Sequence, residues 1–320
     1  MSLYKDTKYK IKNGKKVGKG QTVNVVRINE NGTSYEQITS KGSSACSHED
    51  IVADINARLQ KKRILPKMML LSSMLSLAFS LLISLDGLAP DDGVITTFFS
   101  FFVLFLFASW PFMHFRRKKL STIHLLYDIG PQREREIQKF FGECSKLAKT
   151  QRVWIITAEN KHGDSRRHAG ATSSVSRRTA SVHSMPDRKM QTNLYVLSID
   201  AWDKSVCFFP DKILYFDSRR LYPISYVNLD IALSQTHFRE EESVPSDAEK
   251  TGSTWKYVKN DGTADKRFNN NRVIPILKYC DIEIKGNGCS LNFHTSNYDT
   301  GKAFANAIND YKNLLNRRGS

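Results

Sequence analysis

The chain has 320 residues, with 48 Lys and Arg against 32 Asp and Glu and a formal net charge of +16. That length holds one or two compact domains, and the positive balance favours polyanionic partners over basic ones. The five cysteines, Cys46, Cys144, Cys207, Cys280 and Cys289, form no Cys-x-x-Cys pair, so neither a zinc site nor a disulfide framework is indicated and they read as reduced thiols.

Residues 1-60 read as a small cytoplasmic N-terminal region. A basic tail, YKDTKYKIKNGKKVGKGQ, is followed by the alternating runs TVNVVRI and TSYEQIT around NENG, the pattern of a β-hairpin. SHED at Ser47 to Asp50 resembles a capping box and opens a helix with Ile51, Val52, Ile55 and Leu59 on one side. The glycines of GKKVGKGQT do not fit the GxxxxGK[ST] spacing, and no apolar strand precedes them.

Residues 64-115 predict a transmembrane hairpin. Met68 to Leu85 is 18 residues without a charge and Val94 to Met113 is another 20, lengths that suit a helix crossing hydrocarbon. Lys61, Lys62, Arg63 and Lys67 precede the first run, and Arg116, Arg117, Lys118 and Lys119 follow the second, whereas the intervening turn carries Asp86, Asp91 and Asp92. Positive residues stay on the cytoplasmic side, so these eight read as membrane-surface residues, and the predicted address is the bacterial inner membrane with both termini cytoplasmic. Ser72, Ser76, Ser80 and Ser84 recur every four residues and read as a helix-packing stripe, through which the spans form a homo-oligomer. The apolar run begins too far from the initiator methionine for a cleaved signal peptide.

Residues 116-150 form a juxtamembrane linker and an amphipathic helix beginning at Pro131, with Ile137, Phe140, Phe141, Cys144 and Leu147 on one face. Residues 151-320 read as a β-rich cytoplasmic domain. VWIITAE opens it as a buried strand, and the stretch 160-191, rich in Arg, Ser and His, is a basic loop too poor in large apolar side chains to fill a core. From Thr192 onward short apolar runs alternate with turns: TNLYVLSI, KSVCFF, KILYF, ISYVNLDIAL, STWKYV, VIPILKYCDIEI and CSLNFHT. A final helix, GKAFANAINDYKNLLNRR, carries Phe304, Ile308, Tyr311 and Leu315 on one face. The predicted fold class is thus an α+β membrane protein: a two-helix transmembrane hairpin plus a small barrel or sandwich closed by a C-terminal helix.

This order of strands and helix over about the last 125 residues resembles bacterial pleckstrin-homology-like domains. The words EEESVPSDA, TWKYV and RFNNNRVIPI resemble the C-terminal region of an uncharacterised bacterial domain family. That resemblance implies a shared domain and brings no activity with it.

The candidate ligand-binding residues are Arg267, Asn269, Asn270, Asn271 and Arg272, because guanidinium forks and amides together can read a phosphate or a base edge. The same run fits a turn in which asparagine bonds to nearby backbone. EEESVPSDA is an acidic counterpart that can pair with Lys266, Arg267 and Arg272 within one domain. No catalytic triad, paired carboxylates, HxH or HExxH is found among the eight histidines and the rest of the chain, so no enzyme, metal or cofactor is indicated. The leading expectation is a non-enzymatic membrane protein whose cytoplasmic sensor or scaffold domain binds a ligand, a protein partner or anionic lipid headgroups of the bilayer. A membrane-permeabilising effector of a defence system, triggered by a cytoplasmic ligand, is the rival. A membrane-tethered nucleic-acid-binding protein is the third reading, and it is not favoured, because the basic stretch lacks interleaved aromatics.

Overall fold

In the computed structural model of this chain, the described residues are 3, 22–30, 32–39, 42–60, 67, 74, 123–161, 173–184, 190–202, 204–217, 220–259 and 261–319. The alternating runs near the N-terminus form β1 (Thr22–Asn29) and β2 (Gly32–Thr39), an antiparallel pair extended by β3 (Gly42–Ala45). β4 (Ile123–Ile129) lies parallel to β1 on its other side, with Val25 beside Leu126. A two-residue strand, β7 (Met190–Gln191), completes a sheet of order β3-β2-β1-β4-β7. Segments on either side of residues 61–122 therefore share one sheet.

Helix α1 covers residues 48–60. Its start is fixed reciprocally, as the sequence predicts: the Asp50 N–H donates to Ser47 Oγ at 3.1 Å and the Ser47 N–H donates to Asp50 Oδ2 at 2.8 Å. Helix α2 (Pro131–Cys144) begins with proline in its first turn and buries Ile137, Phe140 and Cys144.

The larger sheet is antiparallel throughout. It comprises β5 (Val153–Lys161), β6 (Ser173–His183), β8 (Leu197–Ala201), β9 (Lys204–Phe208), β10 (Lys212–Phe216), β11 (Leu221–Ser225), β12 (Asp230–Arg239), β13 (Glu249–Trp255), β14 (Val273–Gly286) and β15 (Cys289–Thr295). Their order is β11-β10-β9-β8-β6-β5-β15-β14-β12, with β13 paired to the far end of β14. Asn287 and Gly288, with φ of +49° and +75°, make the two-residue turn between β14 and β15. Asn287 Nδ2 donates to the Pro223 carbonyl at 3.0 Å, so the sheet curls until this turn meets β11. Helix α3 (Tyr298–Gly319) packs on the concave side: Phe304 meets Phe208 edge-on at 5.4 Å, and Tyr311 stacks on Phe140 of α2 at 4.2 Å. Side chains of both sheets and all three helices merge into one core.

Strand β6 runs through part of the stretch read as a basic loop. It owes its order to its neighbours, since its backbone is paired to β5 on one edge and to β8 on the other.

The fold class and address expected from the apolar runs are corrected. The described chain is mostly β-sheet with three helices, and no helix among the described residues is long and apolar enough to cross a membrane. The two apolar runs lie outside the described residues apart from Met74; α3, the longest described helix, has the length of a span but buries Phe304, Ile308 and Tyr311 in the protein core and exposes Asp299, Lys302, Asp310, Arg317 and Arg318. The two-helix transmembrane hairpin and the two-span inner-membrane localisation are therefore not supported. Ser72, Ser76, Ser80, Ser84, Lys61, Lys62, Arg63, Arg116, Arg117, Lys118 and Lys119 lie outside the described residues, and Lys67 is helical and exposed.

Candidate binding site

The predicted ligand-binding residues fall in one long connection, the tip between β13 and β14. Trp255 pairs with Val273 as the last register of the two strands, and the ladder continues one step when the Lys256 N–H donates to the Arg272 carbonyl at 2.9 Å. At the next step the Asn271 side chain replaces a backbone partner. The Tyr257 N–H donates to Asn271 Oδ1 at 3.0 Å, and Asn271 Nδ2 donates back to the Tyr257 carbonyl at 2.7 Å. Farther out, the Gly262 N–H donates to the Lys259 carbonyl at 3.0 Å, and Asp261 accepts from the Thr263 N–H and hydroxyl at 2.9 and 2.7 Å.

Asp265 organises the return limb. Its carboxylate accepts from the Arg267 N–H at 3.1 Å and from Arg267 Nη2 at 2.6 Å, and these bonds hold its pKa down to about 2. The same contact raises the pKa of Arg267. Tyr257 and Phe268 stack at 4.1 Å with their planes 16° apart, closing the loop upon itself. Two bonds tie its base to the acidic stretch: Lys256 Nζ pairs with Glu241 at 2.7 Å, and Arg272 Nη2 donates to the Glu241 backbone carbonyl at 2.7 Å. The hydrogen bond that Lys256 donates to the Glu241 carboxylate raises the Lys256 pKa.

Of the five predicted residues, then, Asn271 serves the loop itself, and Arg272 is exposed with one fork fixed at the base. Arg267, Asn269 and Asn270 are directed to solvent, the Arg267 side chain being 81% exposed although one edge holds Asp265. The sequence reading missed Trp255, Phe268 and Val273, which are 37%, 37% and 54% exposed and flank the same tip. The spacing of Trp255, Tyr257 and Phe268 among Lys256, Lys259, Lys266 and Arg267 was the available signal.

Of the three expected partners Arg272 alone bonds the acidic stretch among the described residues, through the Glu241 backbone carbonyl, and the carboxylates of the stretch pair elsewhere. Glu240 accepts two bonds from Arg177 Nη2, at 2.6 and 2.7 Å, and one from the Tyr279 hydroxyl at 2.7 Å. The Arg177 guanidinium lies between Trp154 and Phe238, 4.3 and 4.2 Å from their ring centroids. Burial, reinforced by the bond to Glu240, pushes the Tyr279 phenol far above its ordinary range. A second network joins the two sheets: Tyr127 and Tyr35 donate to Asp211 at 2.8 and 3.1 Å, and Lys212 Nζ lies 2.8 Å from the same carboxylate. Both networks tie distant segments together and position the fold; in the first, Arg177 Nη1 and Trp154 Nε1 are buried with no hydrogen-bond partner among the described residues.

Among the described residues no group of three His, Cys, Asp and Glu side chains is placed to hold a metal ion. All five cysteines are free thiols, three of them buried, and burial raises the Cys280 pKa to about 12, far from a reactive thiolate. No family model, curated protein or solved structure matches the chain. The functional reading therefore rests on what these side chains can do.

Proposed function

We propose that this chain is a binding module, not an enzyme, and that the β13–β14 tip docks an acidic partner protein. One observation carries this reading: Phe268 and Arg267 are exposed on a loop whose shape is fixed by its own hydrogen bonds, and Trp255 is exposed at the end of the strand that leads into it. Tryptophan and arginine are the side chains that dominate protein interfaces, and a loop ordered before binding loses little entropy when it docks. Lys259 and Lys266 add exposed positive charge beside the aromatics, which steers an acidic surface toward them. A nucleic-acid strand fits less well, because Asn271 has committed its amide to Tyr257 and one face of Phe268 is covered by the Tyr257 ring.

The test is a photocrosslinker placed at Asn270 of the full chain in its native cell. The expected result is a discrete protein adduct that disappears with Arg267→Glu. A ribonuclease-sensitive adduct, or none at all, would overturn the reading.

A further inference from the structure

A second site lies on the other side of the molecule's chemistry, in a cleft between α2 and the segment leading into β8. Its volume is about 310 Å³, at the lower end of the roughly 300–1,000 Å³ that small-molecule sites occupy. Leu3, Phe141, Val196 and Leu197 give it an apolar floor, and Arg135 and Lys139 stand at its rim.

Three features of α2 point to an anionic occupant. Arg135 and Lys139 are one turn apart, at i and i+4, where like charges destabilise a helix. The carboxylates of α2 are engaged elsewhere: Glu134 accepts from Gln138, Glu136 pairs with Arg318, and Glu143 pairs with Lys146. Among the described residues neither Arg135 nor Lys139 has an ion-pair partner. The third feature is Gly142, on the same helix face and lining the same cleft. A Cβ there would meet no atom within 4 Å, so neither packing nor backbone conformation requires the poorest helix former after proline. What the missing side chain leaves is room in the cleft.

We infer that this cleft binds a small organic anion with an apolar body: the body lies on Phe141, Val196 and Leu197 beside Gly142, and the anionic group is held between Arg135 and Lys139. Apolar burial supplies most of the attraction and the two cations fix the orientation.

The inference is tested with the full chain and the fluorescent probe anilinonaphthalene sulfonate, which has both parts. Saturable, blue-shifted binding is expected, displaced by octanoate, at least about tenfold more weakly by octanol, and not by inorganic phosphate. Arg135→Glu with Lys139→Glu, both exposed, should weaken it by about tenfold or more. Gly142→Leu should abolish it while leaving the melting temperature equal or higher, and Gly142→Ala should retain it. Binding that survives Gly142→Leu, or that octanol displaces as well as octanoate does, overturns the proposal. So does displacement by phosphate alone, which would leave the apolar floor without a role.

Discussion

Arg177 and Arg267 make the same contact in opposite surroundings. Each guanidinium grips a carboxylate through Nη2, Arg177 at 2.6 Å from Glu240 and Arg267 at 2.6 Å from Asp265. Both carboxylates are buried, at 0% and 5% exposure, but the Arg177 side chain is 8% exposed whereas the Arg267 side chain is 81% exposed. The buried pair joins strands 63 residues apart in sequence and has aromatic rings above and below, so its charges have no water to turn to. The tip pair, with its arginine in solvent, spans two residues and shapes only its own turn. Identical chemistry thus serves architecture at one place and display at the other, and burial decides which.

The largest test of that difference is Arg177→Ala, which strands the Glu240 carboxylate in the interior and should cost about 3–5 kcal/mol in urea denaturation. Replacing both partners, Arg177→Met with Glu240→Leu, should recover most of the loss, because no unpaired charge then remains. If the double variant is no better than the single one, the role of the pair lies instead in the Tyr279 hydrogen bond to Glu240 and in the 3.6 Å approach of Arg177 Nη2 to Glu242.

Close packing beneath the sheet gives the next effect. A Cβ at Gly301, in the first turn of α3, would collide with Thr295 Oγ1 and come within 2.7 Å of Cys280 Cβ. Gly301→Ala should therefore destabilise by about 1–3 kcal/mol, read as a lower midpoint in the same titration.

The tip pair yields smaller, pH-dependent changes. The Asp265 pKa is depressed to about 2 in the folded chain, below the ordinary carboxylate value of about 3.9. Its contribution is therefore present above about pH 4 and is lost as pH falls through about 2. Asp265→Asn should lower the melting temperature at neutral pH, and the gap to the parent should narrow from pH 4 to pH 2. A gap that widens on acidification would reverse the assignment. Arg267→Ala should change stability least of all, while removing the crosslinked adduct described above.

Much of this fold can be read locally. Most strands from Leu197 to Thr295 lie where short β-branched and aromatic runs alternate with turns, although the run ISYVNLDIAL is divided by a turn at residues 226–229 between β11 and β12, and α2 and α3 lie where apolar residues recur at helical spacing. The SHED cap is a local motif, and it is made by local bonds. The Asn-Arg run lies in the connection between β13 and β14, but the run by itself could not distinguish Asn271, which closes the loop, from Asn269 and Asn270, which are exposed. That distinction depends on Tyr257, fourteen residues earlier.

Sequence alone determined the basic balance, the amphipathic helices, most strands of the larger sheet and the place of the candidate tip, because each rests on side-chain patterns spanning a few residues. Tertiary structure decided that β4 lies parallel to β1, that the Ser- and Arg-rich β6 is a strand at all, and that Arg177 meets Glu240 between two rings. Those outcomes depend on backbone edges and buried charges finding partners far along the chain, and such partners leave no mark in any local window.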